Sequence, residues 1–177
     1  MKTKYEIRPA SGWMFAFMTL AFFMASGMIP SKSFAAKPDF SGTWTLNEEK
    51  SEFGEGRFRP SATMDVKQEK ASMTVVRTRT GRDGQEVKME SVYSLDGKET
   101  KTEGQRRTTV STATWSGDGS NLVINSTSSW TREGETYEFK SVETWMLGEG
   151  GKNLTIKTNS SSSRGEFSYE AVYDLKE

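Results

Sequence analysis

The stretch from Phe167 to Leu175 reads Phe-Ser-Tyr-Glu-Ala-Val-Tyr-Asp-Leu. Aromatic and aliphatic side chains occupy its odd positions, and mostly polar ones occupy its even positions. Successive side chains of a β-strand point to opposite faces. The pattern therefore predicts a strand that turns one face toward a core and the other toward water.

Two further stretches, residues 87–95 and 122–130, show the same period of two. Glycine-rich segments separate the stretches of this kind, and Asp96-Gly97 is a strong signal for a two-residue hairpin turn. About ten strands are predicted, near residues 40–46, 61–69, 72–80, 86–95, 98–103, 107–116, 121–131, 136–147, 153–159 and 166–175.

The connections between these strands are short, which favours antiparallel neighbours in an up-and-down order. The exception is the polar segment 47–60, which we interpret as a loop with one helical turn near residues 48–51. No long helix is predicted after residue 36. The choice is then between a sandwich and a barrel, and a barrel removes the exposed edges of a long sheet. We expect an all-β, antiparallel up-and-down β-barrel of about 8–10 strands.

Residues 1–36 have the anatomy of a signal peptide. Lys2, Lys4 and Arg8 precede an uncharged apolar run from Trp13 to Met28, and small residues follow at Ser33-Phe34-Ala35-Ala36. The run is shorter than the roughly 20 apolar residues of a membrane span. An uncleaved anchor helix is the alternative. We expect an exported protein, periplasmic or extracellular, whose residues 37–177 form a single domain without stable membrane insertion.

Composition excludes several kinds of chemistry. The chain contains no cysteine and no histidine, which removes thiol nucleophiles, histidine-based triads and nearly all zinc or copper sites. Loss of residues 1–36 leaves 20 basic and 23 acidic residues, a net charge of −3. No basic surplus exists to neutralise phosphates, so nucleic acid is not an expected partner. We predict no enzyme activity, no metal and no cofactor.

Gly42-Thr43-Trp44 lies in the first predicted strand and resembles the opening Gly-x-Trp strand of the calycin group, which includes lipocalins and fatty-acid-binding proteins. With later segments, the chain resembles secreted bacterial proteins of unassigned function that share this strand. Those segments are Lys50-Ser51-Glu52-Phe53, Trp145-Met146-Leu147, Gly151 to Ile156, and Val172-Tyr173-Asp174. The resemblance implies a lipocalin-like barrel, with Gly42 and Trp44 in structural roles, and brings no activity with it.

The candidate binding residues follow from the strand faces. Ser126 and Ser128 share a predicted face with Trp130, and small polar groups that point inward leave space and need partners. Either the barrel holds a small, partly apolar ligand, or it is filled and acts through its outer surface as a cell-envelope protein-interaction module. For the first case the predicted lining is Tyr93, Ser126, Ser128, Trp130, Tyr137, Phe139 and Tyr169.

The signal peptide gives the first prediction. We expect cleavage after Ala35 or Ala36, because these positions carry the small residues that a signal peptidase reads. Intact-mass measurement or N-terminal sequencing of the exported protein should show Ala36 or Lys37 as the first residue. A stable exported product that retains Trp13 to Met28 would contradict the prediction.

Overall fold

A computed structural model describes residues 36–54, 59–81, 83–104 and 107–177. These residues form ten strands and a short 3-10 turn at Glu149–Gly151. The strands are β1 Gly42–Glu52, β2 Thr63–Gln68, β3 Ser72–Thr80, β4 Glu86–Ser94, β5 Thr100–Glu103, β6 Thr108–Trp115, β7 Asn121–Arg132, β8 Glu135–Leu147, β9 Asn153–Ser162 and β10 Gly165–Leu175. The predicted signal segment up to residue 35 lies outside the described residues, as does residue 82 of a predicted turn.

All ten strands belong to one sheet in the order β4-β3-β2-β1-β10-β9-β8-β7-β6-β5. Every hydrogen-bonded pair in it is antiparallel. The terminal strands β4 and β5 come close to each other without forming a hydrogen-bonded pair. The sheet therefore curls into a nearly closed barrel. The predicted class, an all-β antiparallel up-and-down barrel, is confirmed.

Aromatic packing closes one end of the barrel. Phe40 stacks on Trp115 with 6.1 Å between ring centroids and meets Trp145 edge to face at 5.7 Å. The Trp44 indole donates a hydrogen bond of 2.9 Å to the Phe40 carbonyl oxygen. Trp44 and Trp145 are almost completely buried. We call these four residues, Phe40, Trp44, Trp115 and Trp145, the aromatic plug.

Gly42 adopts a φ of +144°, which side chains disfavour. A Cβ atom at this position would come within 2.5 Å of the Leu175 side chain. The backbone conformation at residue 42 therefore favours glycine, and a side chain there would also displace the Leu175 side chain.

A tight turn joins the two longest strands, β7 and β8. Glu133 and Gly134 both have positive φ angles, +55° and +83°, as a type I′ hairpin turn requires. The register then runs without a break from Arg132 opposite Glu135 to Asn121 opposite Met146. This hairpin determines which side chains of both strands face the interior.

Two expectations from the sequence are wrong in detail. The segment after residue 46 is not a loop from the start, because β1 continues to Glu52 through an irregularity in its pairing with β10 between Asn47 and Glu52. Asn47 and Lys50 bond the carboxylate of Asp174 on β10 and hold this stretch against the sheet.

The expected hairpin at Asp96-Gly97 does not form a paired ladder. The turn exists, with Gly97 at a φ of +82°. The Asp96 carboxylate accepts hydrogen bonds from the Ser94 hydroxyl and the Lys98 amide, which makes a local turn wider than two residues. Strands β4 and β5, which this turn connects, do not pair with each other, and they form the two ends of the sheet.

Within the described ranges, no helix has the length and apolar character needed to cross a membrane.

The aromatic plug gives the second prediction. Trp44→Ala should lower the free energy of unfolding by about 3–5 kcal/mol, because it deletes a large, fully buried side chain. Urea denaturation of the two proteins measures the difference. Trp130→Ala, at a partly exposed tryptophan, is the matched control and should cost less. A Trp44→Ala midpoint equal to that of the wild type would contradict a core role for Trp44.

Candidate ligand-binding site

The end of the barrel opposite the plug presents large apolar side chains on its inner face. The strand registers place Val87 and Met89 of β4 on this face, and these side chains remain 36% and 46% exposed. Four aromatic residues of β7, β8 and β10 face the same space and are partly exposed. We call this set the mouth: Val87, Met89, Trp130, Tyr137, Phe139 and Phe167.

The aromatic residues of the mouth pack in pairs across neighbouring strands. Trp130 stacks on Tyr137 with 5.8 Å between centroids, and Phe139 lies 5.8 Å from Phe167. The guanidinium of Arg107 lies 5.0 Å from the Trp130 ring centroid. Such pairs hold their rings in fixed orientations and leave flat apolar faces for contact.

A layer of hydroxyl groups lies next to the mouth inside the barrel. Ser111 and Ser126 share a hydrogen bond of 2.8 Å, and Thr109 and Ser128 share one of 2.9 Å. Ser160 is buried on the same inner face, and its hydroxyl has no hydrogen-bond partner among the described residues. A buried hydroxyl without a partner costs free energy, so this layer offers hydrogen-bonding capacity to a ligand or water.

A largely buried ion pair lies between the hydroxyl layer and the plug, with 17% and 20% of its two side chains exposed. Arg77 of β3 reaches across the interior and donates to the Glu143 carboxylate of β8 over 2.7 Å. The same carboxylate oxygen accepts the indole N–H of Trp145 at 2.9 Å. Arg77 also donates to the Tyr93 hydroxyl at 3.1 Å and lies over the Trp145 ring. Arg77 and Glu143 therefore bond each other and one further polar group each inside the barrel.

Burial and the ion pair shift the pKa values of the surrounding groups. Burial alone would lower the pKa of Arg77, but the Glu143 carboxylate and the Tyr93 hydroxyl hold it above its ordinary value. Burial, with the charge of Glu143, raises the pKa of Tyr169 to about 12. Burial also raises the pKa of Tyr173, whose hydroxyl donates to the Ser61 carbonyl oxygen. The Tyr169 and Tyr173 phenols are therefore neutral hydrogen-bonding groups at physiological pH.

The structure places all seven residues of the predicted lining on the inner face. Tyr93 and Tyr169 lie at the level of the ion pair, Ser126 and Ser128 belong to the hydroxyl layer, and Trp130, Tyr137 and Phe139 belong to the mouth. Whether they contact a ligand stays a prediction.

Sequence reasoning missed Arg77 and Glu143 as interior residues. Arg77 follows Met73 and Val75 at a spacing of two, and Glu143 precedes Trp145 at the same spacing. That alternation already indicated that both charges share a face with buried residues. An inward charge is normally read as surface, however, because charged residues are rarely buried without a partner. The partner here comes from a strand 66 residues away in sequence.

A separate depression of about 390 Å³ lies on the wall formed by β8, β9 and β10. Most of its lining residues, including Lys140, Val142 and Asn159, point to the outside of the barrel by the strand register. It is a groove on the outer surface and does not belong to the mouth. Across the described residues, no three acidic side chains lie together as a metal site would need.

Neither the models of protein families nor the curated proteins include a match to this chain. A solved structure that it resembles is zebrafish ileal bile acid-binding protein in complex with cholic acid. The two chains share 15% sequence identity at a TM-score of 0.48, over 77% of this chain and 98% of the zebrafish chain. A likeness of this degree identifies no ligand. The strand order of the chain itself makes it an antiparallel up-and-down β-barrel protein.

The ion pair gives the third prediction. Glu143→Gln should lower the free energy of unfolding by about 3 kcal/mol, because it leaves the Arg77 charge in the interior without a counter-charge. The value is at the lower end for buried pairs, because the two side chains are still 17% and 20% exposed. Urea denaturation measures the loss.

The double variant Arg77→Met/Glu143→Leu should recover most of this stability, since both charges are then absent. Glu170→Gln, which breaks the more exposed pair with Lys157, is the matched control and should change stability by less than about 1 kcal/mol. A Glu143→Gln protein as stable as the wild type would show that the interior around Arg77 is open to bulk water.

Proposed function

We propose that this protein binds one small, partly apolar molecule inside its barrel, entering through the mouth, and that it does so without chemistry. The observation that carries the proposal is the contrast between the two ends. The plug end is packed with buried aromatic and aliphatic side chains, whereas the opposite end keeps apolar inner side chains exposed near the buried Ser160 hydroxyl, which has no partner among the described residues. Exposed apolar groups next to a few polar ones are typical of ligand sites.

The layers inside the barrel indicate the chemistry of the ligand. Its apolar part would lie against the mouth, and this burial contributes roughly 25 cal/mol per Å² before entropy costs, enough for micromolar affinity with a modest ligand. Its inner end would meet the hydroxyl layer. Because Arg77 and Glu143 already neutralise each other, this inner end needs a neutral hydrogen-bonding group and no charge.

The setting of this function is part of the proposal. Residues 1–36 have the pattern of a cleaved signal peptide, which supports a binding protein that works in the periplasm or outside the cell. A domain there without disulfides depends on packing for its stability, which the aromatic plug supplies.

The fourth prediction tests ligand binding with the neutral apolar dye Nile red. The folded protein should bind it saturably with one dye per chain. Ser128→Phe should abolish binding, because Ser128 is buried on the inner face and a phenyl ring there would occupy the ligand space. The melting temperature should remain close to that of the wild type. Ser129→Phe, on the outer face of the same strand, is the matched control and should bind normally.

The alternative is a filled barrel that acts through its outer surface. In that case the wild-type protein would not bind the dye, and Ser128→Phe would overpack the interior and destabilise it by about 1–3 kcal/mol. That combination of results would overturn the proposal.

A further inference from the structure

Strand β4 is an open edge of the sheet. It has nine residues, from Glu86 to Ser94, and pairs with β3 along its whole length. On its other side it forms no ladder, because β4 and β5 are the ends of the strand order. Strand β5 has only four residues and follows the turn after β4, so the part of β4 near the mouth extends beyond it. Unpaired edges of this kind are templates for pairing with another strand.

Exposed apolar side chains concentrate on this edge. Among the described residues, five large hydrophobic side chains are exposed, and three of them, Val87, Met89 and Val92, belong to β4. Val87 and Met89 lie on the inner face of the strand and Val92 on its outer face, so the open edge carries exposed hydrophobic side chains on both sides. Such an edge is a candidate for pairing with a second strand.

The backbone geometry shows which residues of β4 have free hydrogen-bonding groups. The Leu95 amide donates to the Ala71 carbonyl oxygen at 2.9 Å. This pair of residues continues the register of β3 and β4, in which Ser72 lies opposite Ser94. In an antiparallel pair these bonds occur at every second residue. The odd-numbered residues of β4 therefore direct their amides and carbonyls to β3, and Glu86, Lys88, Glu90 and Val92 direct theirs to the open side.

The charges along the open side alternate in sign. Glu86, Lys88 and Glu90 are exposed on the outer face, and within the described residues none of them makes an ion pair. Charges of one sign would prevent two such edges from pairing. Alternating charges make the edge complementary to itself in an antiparallel arrangement.

We propose that two copies of this protein pair through β4 as an antiparallel, two-fold symmetric dimer centred on Met89. In this register Lys88 lies opposite Glu90 of the second copy, twice by symmetry, and Glu86 lies opposite Val92. These are the residues whose backbone groups point to the open side, so each opposite pair can exchange hydrogen bonds. Met89 lies opposite its own copy, which covers the most exposed hydrophobic side chain of the strand.

Other registers of the two β4 strands either set like charges opposite each other or pair fewer residues. Centring on Lys88 sets two lysines against each other and Glu86 against Glu90, and centring on Glu90 sets two glutamates against each other. Centring on Val87 does pair Lys88 with Glu86, but it engages only three strand residues. The Met89 register spans seven residues, from Glu86 to Val92, and sets Lys88 opposite Glu90 twice.

Charge reversal tests the dimer and its register, and this is the fifth prediction. Light scattering coupled to size exclusion should give the wild-type protein twice the mass of one chain. Lys88→Glu and Glu90→Lys should each be monomeric, because each places like charges opposite one another twice. The double variant Lys88→Glu/Glu90→Lys should be dimeric again. Lys140→Glu, on the outer face of β8, is the matched control and should stay dimeric.

Mixing the two single variants gives the sharpest result. One copy then carries two glutamates and the other two lysines at positions 88 and 90, so the mixture should form a heterodimer, detectable by native mass spectrometry. Circular dichroism checks that every variant is folded. A wild-type protein that is monomeric at all concentrations would overturn the proposal, and so would single variants that remain dimers.

Discussion

A closed antiparallel sheet must direct every second side chain into its interior, and the rest of this structure depends on that constraint. Ten strands in sequence order impose it along the whole described barrel. The tight turn at Glu133-Gly134 holds the longest hairpin in a single register. A shift of one residue there would exchange the inner and outer faces of both strands.

The inner face is not uniform, and its layers divide the barrel into two functional halves. Aromatic rings pack at one end and, together with buried aliphatic side chains such as Leu122 and Leu154, form the core of this domain. The ion pair between Arg77 and Glu143 lies next to them, and beyond it come hydroxyl groups and then a partly exposed aromatic mouth. The most deeply buried side chains therefore lie toward the plug, and the proposed ligand site lies at the mouth.

Strands, their order and their inner faces could be predicted from the sequence, because period-two alternation and glycine turns are local signals. The inner face of the predicted lining residues Ser126, Ser128, Trp130 and Tyr169 follows from that alternation, whereas the structural role of Trp44 was predicted from the Gly-x-Trp resemblance. The continuation of β1 past Asn47 could not be predicted, since it depends on Asp174, more than 120 residues away. The pairing of Arg77 with Glu143 and the open edge at β4 are likewise consequences of how distant strands meet.

We infer that the interior is open at the mouth and closed by packed side chains at the plug. The chain has no cysteine, so a single introduced thiol reports on one position alone. A direct measurement is the labelling rate of Phe139→Cys, at the partly exposed mouth, and of the buried Ala113→Cys by a small apolar thiol reagent in the folded protein. We expect Phe139→Cys to react readily and to be protected by saturating Nile red, whereas Ala113→Cys reacts only on unfolding. Equal protection of both thiols without the dye would contradict the account.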